Sequence, residues 1–292
     1  MRDLSLQVPR GSIYGFIGPN GSGKTTTIRM ILHILLPDRG KIEVLGKEGT
    51  RAANDAVGYL PEERGLYKKM TVNRLLRYYA SLKGMQRSRA RAAIDEWLDR
   101  FELTQWRDKK IESLSKGMAQ KVQFISTVIA RPELLILDEP FSGLDPVNAS
   151  VIREAVLELN AAGTTVIFST HDMSAAEELC DFVFMIYRGD KVLDGTISEI
   201  KAQYGQDVLR VRVADGRTVL DQLEGILRVT DLGQHQELRL ADGLDPQTLL
   251  GELLKRTRVD RFELAQPSLR DIFLDLAGPQ AASDSLHEEA LA

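Results

Sequence analysis

Residues 12–36, SIYGFIGPNGSGKTTTIRMILHILL, decide the fold. Ser12 to Ile17 has the composition of a short strand. A Gly-rich turn follows, and a helix is expected from about Lys24 to Leu35, broken by Pro37-Asp38-Arg39-Gly40. The turn GPNGSGKT, Gly18 to Thr25, fits G-x-x-x-x-G-K-[ST] in full, with the strand before and helix after that the pattern requires. Gly18, Gly21 and Gly23 let the backbone curl so that its N–H groups point inward at phosphate oxygens. Pro19, Asn20 and Ser22 complete the turn, and Thr26 continues the helix, whose N-terminus favours anions. Lys24 would reach the β- and γ-phosphates, and Thr25 would offer its hydroxyl to Mg²⁺. A Gly-rich turn with a surface lysine is the bland alternative, and the strand–turn–helix context weighs against it. The motif reports a nucleoside triphosphate; it does not report what the triphosphate drives.

Working outward, Leu134 to Pro140 (LLILDEP) is an apolar strand ending in two acids. Such a strand releases carboxylates at its C-terminal edge, where phosphates sit in sheets of this kind. Asp138 would hold Mg²⁺, and Glu139 would orient and polarise the attacking water. Short strands are expected near 41–45, 57–60, 165–169, 182–187 and 191–194, and helices near 146–160 and 174–180. Strands alternating with helices argue for a mainly parallel sheet. Residues 71–130 interrupt the alternation with helix-forming sequence. After about residue 205 the pattern changes: strand-like 208–213, an amphipathic stretch at 217–226, strands near 226–231 and 236–241, a helix at 247–256 and a strand at 259–265. That is a β-α-β-β-α-β order. A last helix carries Leu269, Ile272, Phe273 and Leu276 on one face. Residues 279–292 are small and acidic, the composition of a disordered tail.

Leu114 to Gln123 (LSKGMAQKVQ) narrows the class. Taken alone, Ser-Lys-Gly before a helix is an N-cap. Standing about twenty residues before the acidic strand, it resembles the signature of the ABC transporter ATPases, usually written LSGGQ. The resemblance implies that Ser115 and Gly117 face the γ-phosphate bound by another subunit. Lys116 and Met118 depart from the common form, and Met118 removes its usual amide. Ser142 to Asp145 (SGLD) is similar to the loop that bridges two subunits. His171 matches the family's switch histidine, 33 residues after Asp138 at a strand end. In Tyr59 to Tyr67 (YLPEERGLY), Glu62 stands where the family carries a glutamine that touches Mg²⁺ and couples to the membrane subunit. Pro267 to Gly278 (PSLRDIFLDLAG) resembles a C-terminal extension of the subgroup serving export-type permeases.

The fold these readings imply is α/β: a P-loop NTPase of the ABC ATPase type over 1–205, with a helical subdomain inserted at about 68–130. A small α+β ferredoxin-like domain follows over 206–278, with a tail at 279–292. The resemblance implies an ATPase using ATP and Mg²⁺, with Lys24, Glu139 and His171 in the chemistry. It implies a multi-span membrane permease as partner and head-to-tail pairing, as a homodimer or with a paired ATPase subunit. A soluble ABC ATPase acting on nucleic acid or ribosomes is the rival; such proteins usually carry tandem modules or long coiled-coil insertions, whereas this chain shows one P-loop and no heptad run.

Composition agrees with that reading. The 292 residues carry net charge −4, so no nucleic-acid partner is expected. Residues 61–110 hold 13 Lys/Arg against 7 Asp/Glu, which reads as a solvated helical face before it reads as a partner surface. The single Cys180 excludes an intrachain disulfide and reads as packing. His33, His235 and His287 have no motif context. No apolar run approaches the ~20 residues that span a bilayer, and no signal core opens the chain. The expected place is cytoplasmic, at the inner face of the membrane through the permease. The resemblance implies a further strand with an adenine-stacking aromatic upstream of the point matched here by Met1, so a natural start lying earlier is expected ahead of the alternative, a shortened subunit.

Overall fold

A computed structural model describes residues 1–48, 56–63, 65–204, 208–221, 223–231, 233, 235–241 and 243–278. The acidic tail therefore lies outside the described residues. The chain forms two compact units, Met1–Gly195 and Thr196 onward.

The first unit is organised by a six-stranded sheet. Its strands are β1 (Ile13–Ile17), β4 (Val57–Leu60), β5 (Leu134–Asp138), β6 (Thr165–Thr170), β7 (Phe182–Tyr187) and β8 (Asp190–Thr196), in the order β4-β5-β6-β1-β7-β8. The pairs from β4 through β7 are all parallel. Parallel strands covered on both faces read as continuous apolar runs, and every residue of β1 and β5 is buried. The sheet is crossed by α1 (Lys24–Ile31), α5 (Pro146–Ala161) and α6 (Met173–Leu179). Between β4 and β5 stand α2 (Val72–Leu82), α3 (Arg87–Arg100) and α4 (Lys116–Val128). Trp97 and Phe101 of this helical block pack against Phe124 of α4, at centroid distances of 6.2 and 5.7 Å. Thr71, Ser115, Asp145 and Asp172 each cap a helix with a side-chain oxygen.

Two local expectations are shortened. The helix expected to reach Leu35 stops at Ile31, because Arg29 O accepts from both Ile34 N–H and Leu35 N–H while His33 takes φ 53°. That left-handed residue closes the helix before the Pro37 break. The strand expected at 41–45 is β2 (Glu43–Val44), which turns through Leu45 and Gly46, both at positive φ, into β3 (Lys47–Glu48).

In the second unit β9 (Val208–Val213), β10 (Ile226–Asp231), β11 (Gln236–Leu240) and β12 (Val259–Ala265) form an antiparallel sheet in the order β10-β11-β9-β12. With α8 (Arg217–Leu220) and α9 (Pro246–Arg256) this is the β-α-β-β-α-β arrangement, although α8 is only four residues where a longer amphipathic stretch was expected. Leu209, Val211, Leu220, Leu238, Leu249 and Leu253 make its core. Period-two alternation puts Arg210 on the opposite sheet face, paired with Glu237 at 2.7 Å. There α10 (Leu269–Ala277) packs against α7 (Ile197–Tyr204). The sequence draws the domain line after residue 205; the compact unit starts at Thr196 and includes α7.

Candidate functional site

Register builds the site. Ile17 pairs with Thr170, and Asp138 pairs with Ser169. Three neighbouring strands therefore end level, and the residues that follow are Gly18, Glu139 and His171. The P-loop glycines are required by shape. Gly18 has φ 150°, and a Cβ there would lie 2.1 Å from the Ile186 carbonyl oxygen. Gly21 and Gly23 also take positive φ. The turn between β7 and β8 braces the loop from behind, with Gly189 N–H donating to Ser22 O at 3.0 Å.

Lys24 is buried and folded back onto the loop, donating to Gly18 O at 2.7 Å and Pro19 O at 3.2 Å. Its ammonium is 3.7 Å from Glu139 Oε1. Thr25 Oγ1 donates to Asp138 Oδ2 at 3.0 Å. Asp138 is 1% exposed, and burial pushes its carboxyl above the usual range. Neighbouring Glu139 adds to the rise, while the Ser169 and Thr25 hydroxyls and the Lys24 ammonium oppose it. Its Oδ1 makes no hydrogen bond of good geometry among the described residues, although Ser169 stands beside the carboxylate. A hydroxyl and a carboxylate with an unused buried oxygen are hard oxygen donors, the set that suits Mg²⁺.

Glu139 sits at φ 48°, a conformation costly for a residue with a Cβ. Its N–H donates to Ser169 O at 2.9 Å. Oε1 accepts from His171 N–H at 2.9 Å and lies 2.8 Å from His171 Nδ1; Oε2 accepts from the Thr170 hydroxyl at 3.2 Å. An ionised carboxylate can only accept, so the Nδ1 contact requires the proton on Nδ1 and leaves Nε2 on the opposite edge of the ring. The His171 side chain is 41% exposed, whereas Glu139 is 7%.

Asn20, Gly21, Gly23, Lys24, Thr25, Thr26, Glu62 and Glu139 line one open cavity of about 360 Å³. The sheet ends thus gather the P-loop, both strand-end acids and His171, and the loop after β4 brings Glu62 to the same cavity. Ser115 and Gly117 do not line it. Ser115 is the exposed N-cap of α4, with Oγ accepting from Met118 N–H at 3.2 Å. Gly117 packs on the start of α5, where a Cβ would meet Asn148 Nδ2 at 3.0 Å.

Three supporting residues carry no motif of their own and emerge only in the fold. Thr170 reaches Glu139, a pairing that appears only once β5 and β6 are in register. Gln123 of α4 donates to Glu63 O at 3.3 Å and so tethers the loop bearing Glu62. Tyr59 sits among the charges: burial pushes its hydroxyl up to about 12, and Asp138 and Glu62 push the same way against Arg29.

A parallel sheet with a phosphate-cradling turn at its central strand and two acids at the end of the next strand but one defines a P-loop nucleoside triphosphatase. The sequence comparisons make it specific. Residues 1–142 match the ABC transporter family, and residues 195–277 match the C-terminal domain of DrrA1-3-like ATP-binding proteins. The ABC transporter ATP-binding protein YhaQ of Bacillus subtilis is 42% identical over 275 residues, 94% of this chain and 92% of that protein. A Nod factor export ATP-binding protein I of Burkholderia lata is 33% identical, with 94% and 91% covered. A solved ATP-binding subunit of an ABC transporter superposes with a TM-score of 0.66 at 33% identity, over 70% of this chain and 86% of that one. The chain belongs to the ABC transporter ATP-binding proteins, which are ATPases, and its first unit is an ATP-binding domain. Among the described residues no helix is long and apolar enough to cross a membrane.

Proposed function

We propose that this chain powers export through a separate multi-span membrane permease, attached at the inner face of the membrane by that partner. The observation that carries the catalytic part is the meeting of Lys24, Thr25, Asp138, Glu139 and His171 at one sheet edge. P-loop amides would hold the phosphates, and Lys24 would turn from the Gly18 and Pro19 carbonyls to the β- and γ-phosphates. Gly18 to Thr26 supply the cradle. Mg²⁺ held by Thr25 and Asp138, with Glu62 able to add a carboxylate oxygen, would neutralise charge developing on the phosphates. Glu139 takes the proton of the attacking water as its oxygen bonds to the γ-phosphorus. The bond to the β-phosphate oxygen breaks, and ADP leaves with the electron pair. His171 would present Nε2 to the γ-phosphate while Glu139 holds Nδ1.

Head-to-tail pairing of two such subunits gives Ser115 and Gly117 a task. They stand at an exposed helix start and outside their own subunit's cavity, as a trans contact requires. Export is supported by the similarity to the Nod factor export protein and by the match of the second unit to DrrA1-3-like proteins.

The test is Glu139→Gln. ATP binding persists, single-turnover hydrolysis falls by ~10²–10⁴-fold, and an ATP-bound dimer accumulates on size-exclusion chromatography. Hydrolysis within about threefold of the parent, well inside the loss typical of a general base, removes Glu139 from this role.

A further inference from the structure

Thr170 closes β6 with 4% of its surface exposed. Its hydroxyl is used twice. Asp172 N–H donates to Oγ1 at 3.0 Å, and Oγ1 donates to Glu139 Oε2 at 3.2 Å. A Thr side chain has few rotamers, and the Asp172 amide occupies one lone pair. The hydroxyl proton is thereby directed at the carboxylate. Glu139 needs such a hold, because its backbone sits at positive φ without being glycine. Its other oxygen, Oε1, accepts from the His171 N–H at 2.9 Å, and its two remaining contacts are of a different kind. Lys24 and the His171 ring, at 3.7 and 2.8 Å from Oε1, are both groups that an incoming triphosphate attracts. Thr170 is a neutral donor at a strand end and has no such competing ligand.

We propose that Thr170 is a positioning residue for Glu139, its side-chain partner beside the His171 N–H. Its hydroxyl, aimed by the Asp172 amide, anchors Oε2 while the His171 N–H holds Oε1, so that the carboxylate keeps its orientation when Lys24 turns to the phosphates. The proposal rests on the reading of Glu139 as the acid that takes the water's proton. Thr170 itself does not touch substrate.

The experiment compares full-length parent, Thr170→Val, Thr170→Ser, Glu139→Gln and the Thr170→Val/Glu139→Gln double variant. Single-turnover hydrolysis and ATP affinity are measured for each. Thr170→Val slows the chemical step about 10- to 100-fold, the scale set by misplacing a reacting group by a fraction of an ångström to 1 Å. Its ATP affinity stays within about twofold, since the binding groups are untouched. Thr170→Ser keeps the hydroxyl and recovers most of the rate. In the Glu139→Gln background Thr170→Val costs nothing further, because both changes act on one group. If Thr170→Val does not fold, Thr170→Ala carries the same expectation. A parent-like rate in Thr170→Val, a Thr170→Ser variant as slow as the Val variant, or an undiminished loss in the double variant overturns the proposal. Failure of the underlying reading looks different: Glu139→Gln would then hydrolyse ATP normally. An inactive Glu139→Gln beside a normal Thr170→Val removes the positioning role alone.

Discussion

Replacing Gly18 by Ala tests whether the P-loop's shape is imposed by the strand behind it. The added Cβ would lie 2.1 Å from Ile186 O and 3.1 Å from Ser22 Oγ. An ordinary carbon–oxygen contact is about 3.3 Å, so something must retreat by roughly 1 Å. Ile186 cannot do so easily. It is fully buried in β7, which is tied to β1 from Tyr14↔Phe182 to Ile17↔Met185. The P-loop therefore moves, and its φ of 150° adds strain of its own. Overpacking costs about 1–3 kcal/mol and the backbone strain about 1–3 kcal/mol. At roughly 2–4 °C per kcal/mol for a domain of this size, melting of the ligand-free protein should drop by about 4–24 °C. ATP affinity should fall about tenfold or more, as amide contacts to charged phosphate are lost. Gly21→Ala is the control. It has φ 74° with nothing within 4 Å of the new Cβ, so only the strain applies. The assays are thermal melts without nucleotide and an ATP titration. Melting of Gly18→Ala within about 2 °C of the parent, less than 1 kcal/mol on that scale, or equal to that of Gly21→Ala, would refute the argument.

Ser115→Arg should abolish hydrolysis while its own P-loop still binds ATP; mixing it with Lys24→Ala protein should restore at most one working composite site. Normal hydrolysis by a monomer of Ser115→Arg would end the head-to-tail arrangement. Asp138→Asn should stop hydrolysis yet raise the melting temperature of the ligand-free protein at pH 7. A carboxyl with a raised folded pKa contributes stability below its unfolded value near ~4 and loses it as pH rises through the folded value. The gain from Asn should therefore fade as the buffer is taken down to about pH 4; a gain independent of pH would contradict this. A chain ending at Gly195 should retain ATP binding, because every cavity residue precedes that point. Loss of binding in a folded truncation would show that the second unit supports the site.

The class, the order of the elements and the residues at the strand ends are legible in the amino-acid sequence alone. Each of those rests on local chemistry. GPNGSGKT needs only its own glycines and a helix start, and an apolar strand ending in Asp138 and Glu139 announces itself by composition. The alternating Val208–Val213 likewise announced a half-buried strand. Other features depend on register and long-range approach and emerge only in the folded chain. The Ile17↔Thr170 and Asp138↔Ser169 pairings put Thr170 against Glu139, across 31 residues of chain. The positive φ of Glu139 is set by the turn leaving the sheet, and no pattern in DEPFSG foretold it. Helix α1 stopped at Ile31 because Arg29 O captured two amides, although the sequence stays apolar to Leu36 but for His33. Helix α7 joined the second unit because it packs with α10, about seventy residues further on. Lys24 lying against Glu139, and Gln123 holding the loop of Glu62, are likewise contacts between segments that come together only when the sheet forms.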